Sequence, residues 1–159
     1  MSTITIDSRD IIRSQEALNY EWLETNATGG YASSSILQCH TRKYHGLLVA
    51  NLTKPSGRHI LVSKVEDSLE IAGRESFFVS HQYPGYFFPG GQKILQRFDS
   101  GICPKFTFEI ANQTLEKEIM MIRGTDAVVL RYRLQKIDSS GVLRLKLFLA
   151  YRGIHSLST

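Results

Sequence analysis

The sequence is poor in the features that usually announce a catalyst or a membrane protein. Its 159 residues hold only two cysteines, Cys39 and Cys103, and no CxxC pair, so a disulfide framework and a structural zinc site are both unexpected. The two read as buried free thiols. No apolar run approaches the roughly 20 residues of a membrane-spanning helix. Charges are scattered from Met1 to Arg13 with no apolar stretch between them, so no secretory segment is expected and a cytoplasmic location is the default. GxxxxGK[ST] and GxGxxG are both missing, which removes the common phosphate-cradling loops, and no GxSxG places a serine on a nucleophile elbow. There is no low-complexity linker and no repeat, so residues 1–159 are read as one domain.

Charge is present but not concentrated. The 19 basic residues are interleaved with 15 acids, for a net charge of +4 and a pI near 9.1. Nucleic-acid binders gather such an excess into one stripe or helix. A small basic β-domain that holds single strands is therefore the weakest reading of this chain, with steep salt dependence as its mark.

Hydrophobic periodicity is mostly that of strands. Arg13 to Asn19 is expected to form a short helical turn capped by Ser14. The first third is otherwise turn-rich, punctuated by Asn26, Gly29, Gly30 and the Ser33–Ser35 run. From Leu47 onward the chain reads as β. Phe106, Phe108 and Ile110 alternate with polar residues, as do Leu130, Tyr132 and Leu134, and then Leu143, Leu145, Leu147 and Leu149. Short loops at Asn112-Gln113, Gly124-Thr125 and Ser139-Ser140 give a four-stranded antiparallel meander from about Pro104 to Tyr151.

Charge tests the register of that meander. A two-residue loop at Gly124-Thr125 sets Arg123 opposite Asp126, Glu118 opposite Arg131 and Glu116 opposite Arg133, each pair contributing about 0.2–1 kcal/mol. A loop at Ser139-Ser140 makes Lys146 a neighbour of Arg133. The same register gathers Leu115, Ile119, Met121, Leu130, Tyr132, Leu145 and Leu147 on the other face. One pair is discordant, because the loop at Asn112-Gln113 sets Glu109 opposite Glu116. Upstream, Ile60–Ile71 and Glu75–Gln82 form a hairpin around Ala72-Gly73-Arg74. Tyr83 to Gly91 is an aromatic loop whose prolines and glycines exclude a strand interior. Repeated hairpins with little helix predict an all-β, antiparallel β-sandwich.

Two segments carry the candidate chemistry. Glu21 to Ser33 (EWLETNATGGYAS) and Thr41 to Ala50 (TRKYHGLLVA) bring an indole, phenols, an amide, an arginine and histidines beside a glycine pair that allows close backbone approach. Aromatic faces on sugar rings, with amides and guanidinium groups on hydroxyls, are how a neutral polyol is held. The same residues suit a packed protein interface. His40 and His45 are poorly spaced for a metal, and no metal or cofactor is expected. Glu116 and Glu118 lie at the separation glycoside hydrolysis uses, but their arginine partners lower carboxyl pKa values and spoil a general acid. No catalytic centre is read from the sequence.

These two segments resemble the opening of the amino-terminal domain of glycogen debranching enzymes of the amylo-α-1,6-glucosidase type. Ser56-Gly57-Arg58-His59 and the Arg152–His155 element extend the likeness over almost the whole chain. Ala27 stands where that family has a glycine, Lys43 where a second arginine is common, and Gly153 where an aspartate is expected. The resemblance implies a supersandwich-like domain that precedes an (α/α)6 barrel carrying the hydrolytic acid pair. That barrel is not expected within these 159 residues. The family domain runs somewhat longer, so the last strands of the sandwich are expected to be missing, and an exposed apolar face would invite self-association. On this basis the chain is an accessory domain with α-glucan and the barrel as partners. Trp22, Asn26, Gly29, Gly30, Tyr31, Arg42, Tyr44 and His45 meet either sugar or the catalytic domain.

Overall fold

The computed structural model describes residues 3–11, 14–135 and 140–157. The chain runs β1 (Thr5–Asp7), α1 (Ser8–Ile11), α2 (Ser14–Ala17), β2 (Glu21–Thr25), β3 (Tyr31–Ser35), β4 (Gly46–Thr53) and the long β5 (Ser56–Ile71). It continues through β6 (Arg74–Phe77), β7 (His81–Tyr83), β8 (Tyr86–Phe88), β9 (Leu95–Asp99), β10 (Lys105–Ile110), β11 (Gln113–Met121), β12 (Val128–Gln135) and β13 (Gly141–Gly153). One sheet has the order β1-β9-β10-β11-β12 and the other β13-β5-β4-β3-β2, with β6 attached to β5 and β7–β8 as a separate hairpin. Every pairing among the described residues is antiparallel, so the chain is the all-β sandwich that its periodicity predicts.

The β11–β12 register agrees with the charge ladder. Glu118 faces Arg131 and Glu116 faces Arg133, and both acids are ion-paired to those arginines, the second at 3.7 Å. Arg123 and Asp126 fall in the turn beyond the last ladder pair, Met121 with Val128, and Asp126 is turned toward Asn26. The β10–β11 turn is Ala111-Asn112, both in left-handed conformation with φ of 48° and 64°. That is a tight hairpin turn whose twist matches its strands. It shifts the register so that Glu109 faces Thr114, which removes the discordant acid pair.

The fourth strand of the meander is a correction. β13 does not follow β12 in its sheet but crosses to the other layer and pairs with β5. The electrostatic reason is plain. Beside β12, Lys146 would neighbour Arg133; beside β5 it faces Glu66, with Nζ 3.8 Å from the carboxylate, while Arg144 bonds Glu70 at 2.6 Å. Leu145 and Leu147 therefore leave the expected cluster and are 50% and 61% exposed. Ser139 lies outside the described residues, as do Arg13 and the Ser14 side chain.

Three smaller expectations also change. The Ser33–Ser35 run is strand, not turn: the buried Ser35 hydroxyl donates to the Cys39 carbonyl at 2.8 Å. The β5 hairpin closes on Ala72-Gly73 and ends at Phe77, so Gln82 belongs to the next hairpin. Within the aromatic loop, His81–Tyr83 and Tyr86–Phe88 pair as two short strands around Pro84-Gly85. The cysteines are unpaired, Cys39 buried and Cys103 half-buried.

Between the layers, Trp22 meets Phe106 edge-on at 6.2 Å, and Phe78, Phe98 and Phe108 extend the aromatic core. One inward position on β11 breaks the apolar row. Lys117, fully buried, reaches across to the equally buried Asp67 on β5 at 2.6 Å, and the Tyr132 hydroxyl donates to the same carboxylate oxygen at 2.6 Å. Lys117 also donates to the Gln38 side-chain carbonyl. Burial holds the Lys117 pKa below its ordinary value, against the pull of Asp67. Removing either partner strands a buried charge.

Candidate functional site

Strand alternation on β2 turns Trp22 inward and Glu21 and Leu23 outward. The loop after β2 is then built around one amide. The fully buried Asn26 side-chain oxygen accepts the Thr28 and Gly30 N–H groups, both at 2.9 Å, and its NH2 donates to the Thr125 carbonyl at 3.1 Å and to Asp126 at 2.8 Å. The β11–β12 turn of the opposite sheet thus clamps the glycine loop. Gly30 is required by space, because a Cβ there would lie 2.5 Å from the Asn26 amide nitrogen and 2.9 Å from the Val49 carbonyl.

The β3–β4 connection brings the second segment alongside. The Thr41 N–H donates to His45 Nδ1 at 3.1 Å, which leaves Nε2 protonated and donating to Glu21 at 3.2 Å. Burial lowers the His45 pKa, with Glu21 opposing, so the ring is a neutral strut. Arg42 donates from Nε to the same Glu21 oxygen at 2.5 Å. Tyr31 packs on the small second core of Val49, Ile60 and Ile154, and its hydroxyl donates to the Tyr44 carbonyl at 2.8 Å. Arg58 donates to the Gly29 carbonyl at 2.8 Å.

Together these residues border a surface cleft of about 400 Å³ with Glu21, Gly29, Gly30, Tyr31, Arg42, Tyr44 and Arg58 along its walls. Two expected contact residues sit elsewhere. Trp22 is turned into the core at 6% exposure, and every polar atom of the Asn26 side chain is bonded to protein, so both support the cleft from behind. His45, at 2% exposure, holds Glu21 from beneath. The cleft offers one carboxylate, two guanidinium groups and two phenols, a set that exchanges hydrogen bonds with vicinal hydroxyls.

A family model described as glycogen debranching enzyme N-terminal matches residues 20–159. The chain belongs to that family. No curated protein and no solved structure matches it.

The geometry explains how this debranching-enzyme N-terminal domain departs from the family pattern. Ala27 has a φ of 65°, a left-handed conformation that glycine adopts without the clash a Cβ brings. Gly153 leaves Arg152 without a neighbouring acid, but Arg152 is held by the Ser156 carbonyl at 2.6 Å and the Lys43 carbonyl at 2.7 Å. Arg152 and His155 thereby buttress the second segment, with Tyr44 against the His155 ring at 5.8 Å. Glu21 and Arg58 also line the cleft, and neither is among the contact residues expected from the sequence. The signal for Glu21 was available, since an inward Trp22 forces its strand neighbour outward; Arg58 stood in the Ser56-Gly57-Arg58-His59 likeness, but only the fold brings it to Gly29. Among the described residues no group of three or more His, Cys, Asp or Glu side chains could hold a metal ion, and no helix is long and apolar enough to cross a membrane.

Proposed function

We propose that this domain is the accessory, substrate-binding module of a cytoplasmic glycogen-debranching hydrolase. In this reading it holds α-glucan in the cleft and leaves bond cleavage to an (α/α)6 partner domain. One observation carries the reading: the two motifs converge on a single cleft in which Arg42 and His45 both hold the same Glu21 oxygen while the Glu21 side chain stays 28% exposed. A lone acid held by a guanidinium suits hydroxyl recognition, whereas glycoside hydrolysis needs an acid pair. Two free cysteines suit a reducing compartment.

A second reading has its own support. Leu23 lines the same cleft and is 61% exposed, an apolar contact better matched to a protein face than to a polyol. Isotope-edited amide spectra during titration with maltoheptaose separate the two. Glucan binding is expected to move Gly29, Gly30, Arg42 and Tyr44 selectively, and Tyr44→Ala to abolish those shifts. Unmoved spectra at millimolar sugar, with the same residues protected on adding the catalytic partner domain, would replace sugar contact by interface packing.

A further inference from the structure

Outside the cleft, one group of side chains has the arrangement of an activated nucleophile. Lys64 and Glu66 lie two apart on β5 and so point to the same face, where His81, the first residue of β7, meets both. His81 Nε2 is 2.9 Å from the Glu66 carboxylate, and its Nδ1 is 2.5 Å from Lys64 Nζ. A carboxylate only accepts, so Nε2 carries a proton and the neutral ring presents Nδ1 as an acceptor to the lysine. An amine, a ring base and an orienting acid thus stand in series, the geometry that relieves a weak nucleophile of a proton as it attacks. None of the three lines the cleft.

The surroundings favour the free amine. Lys64 is half-buried, and burial lowers its pKa below the ordinary lysine value, against the pull of Glu66 and Cys39. His40, in the β3–β4 connection, is also near Lys64 and is kept neutral by burial. β13 supplies Phe148, whose ring lies 5.2 Å from Lys64 Nζ and 5.1 Å from Lys146 Nζ. Lys146 is 71% exposed and 3.8 Å from Glu66, so a second ammonium group faces solvent beside the site. Half-burial of Lys64 restricts the reagent to a small one, and Lys146 attracts an anion.

We propose that Lys64 is a site of covalent acylation by small acyl phosphates, with His81 as the base and Glu66 holding His81 in position. The neutral Nζ attacks the acyl carbon and forms the C–N bond. The C–O bond to phosphate breaks, its electron pair leaving on phosphate, and the proton shed by Nζ passes to His81 Nδ1. The amide product lacks the charge that the Phe148 ring meets in the unmodified protein.

The test treats the whole chain with acetyl phosphate near neutral pH and follows acetylation of each lysine by peptide mass spectrometry. Lys64 is expected to react several-fold faster than the exposed Lys43, Lys54, Lys93 and Lys146, and to reach its half-maximal rate at lower pH than they do. His81→Gln keeps an acceptor for Lys64 and a donor for Glu66 but takes no proton. It is expected to slow Lys64 about tenfold or more while Lys43, Lys54 and Lys93 react as before. A Lys64 rate no higher than that of the exposed lysines, a pH profile that coincides with theirs, or an undiminished Lys64 rate in His81→Gln would each overturn the proposal. The first two comparisons are internal to the unaltered chain and hold even where the variant fails to fold.

Discussion

Asp67 and Glu21 both hold a cation, but at opposite depths of the same sandwich. Asp67 meets Lys117 with neither exposed at all, and Tyr132 fills a further position on the carboxylate. Glu21 meets Arg42 at the rim, where the guanidinium is 62% exposed, and only its His45 side is closed. Burial makes the first pair a fixed clamp between sheets, costly to break and unable to reach a ligand. Exposure makes the second cheap for stability and leaves its charged groups accessible to other hydrogen-bond partners. Similar charges therefore divide by depth alone between a fixed clamp and an accessible rim pair.

The comparison can be broken most forcefully in the core. Lys117→Met leaves Asp67 buried without its charge partner and is expected to cost about 3–5 kcal/mol in urea unfolding, while adding Asp67→Leu recovers most of that loss. Acid comes next. His40, desolvated and beside His45, has its pKa pushed down to about 3, and the His45 pKa is lowered too. Both folded-state values lie below the unfolded value near 6.5, so the unfolded chain binds these protons first. Stability is thus complete above about pH 6.5 and falls as pH drops toward 3. The part of the decline between pH 6.5 and 5, above the carboxylate range, should flatten in His40→Gln when urea midpoints are followed against pH.

Smaller effects sharpen the rim. Gly30→Ala forces a methyl group against Asn26 and the Val49 backbone, with an expected loss of about 1–3 kcal/mol in thermal unfolding. Ala27→Gly works the other way. It relieves a left-handed alanine but frees the unfolded chain, for a net gain of about 0.5 kcal/mol by the same assay.

The sandwich was legible because strand alternation in β10, β11 and β12 is strong and the Glu–Arg ladder admits one register. β13 misled because its alternation is equally clear for either sheet, and only the facing acids of β5 decide between them. Lys117 was visible as the gap between Leu115 and Ile119, yet a lysine at an inward position is intelligible only once Asp67 is known to oppose it. At the cleft, the two motifs marked the segments that form its walls. Their orientation was the hidden part: Trp22, Asn26 and His45 are buried by packing, and Glu21 and Arg58 are the charged side chains left exposed along the cleft with Arg42.

The most direct test of this division is the maltoheptaose dissociation constant of Glu21→Gln, measured by calorimetry alongside its melting temperature. Loss of a charge-assisted acceptor at the rim should weaken binding about tenfold with little change in melting. Unchanged affinity in a folded Glu21→Gln protein would contradict the assignment of the rim carboxylate to glucan recognition.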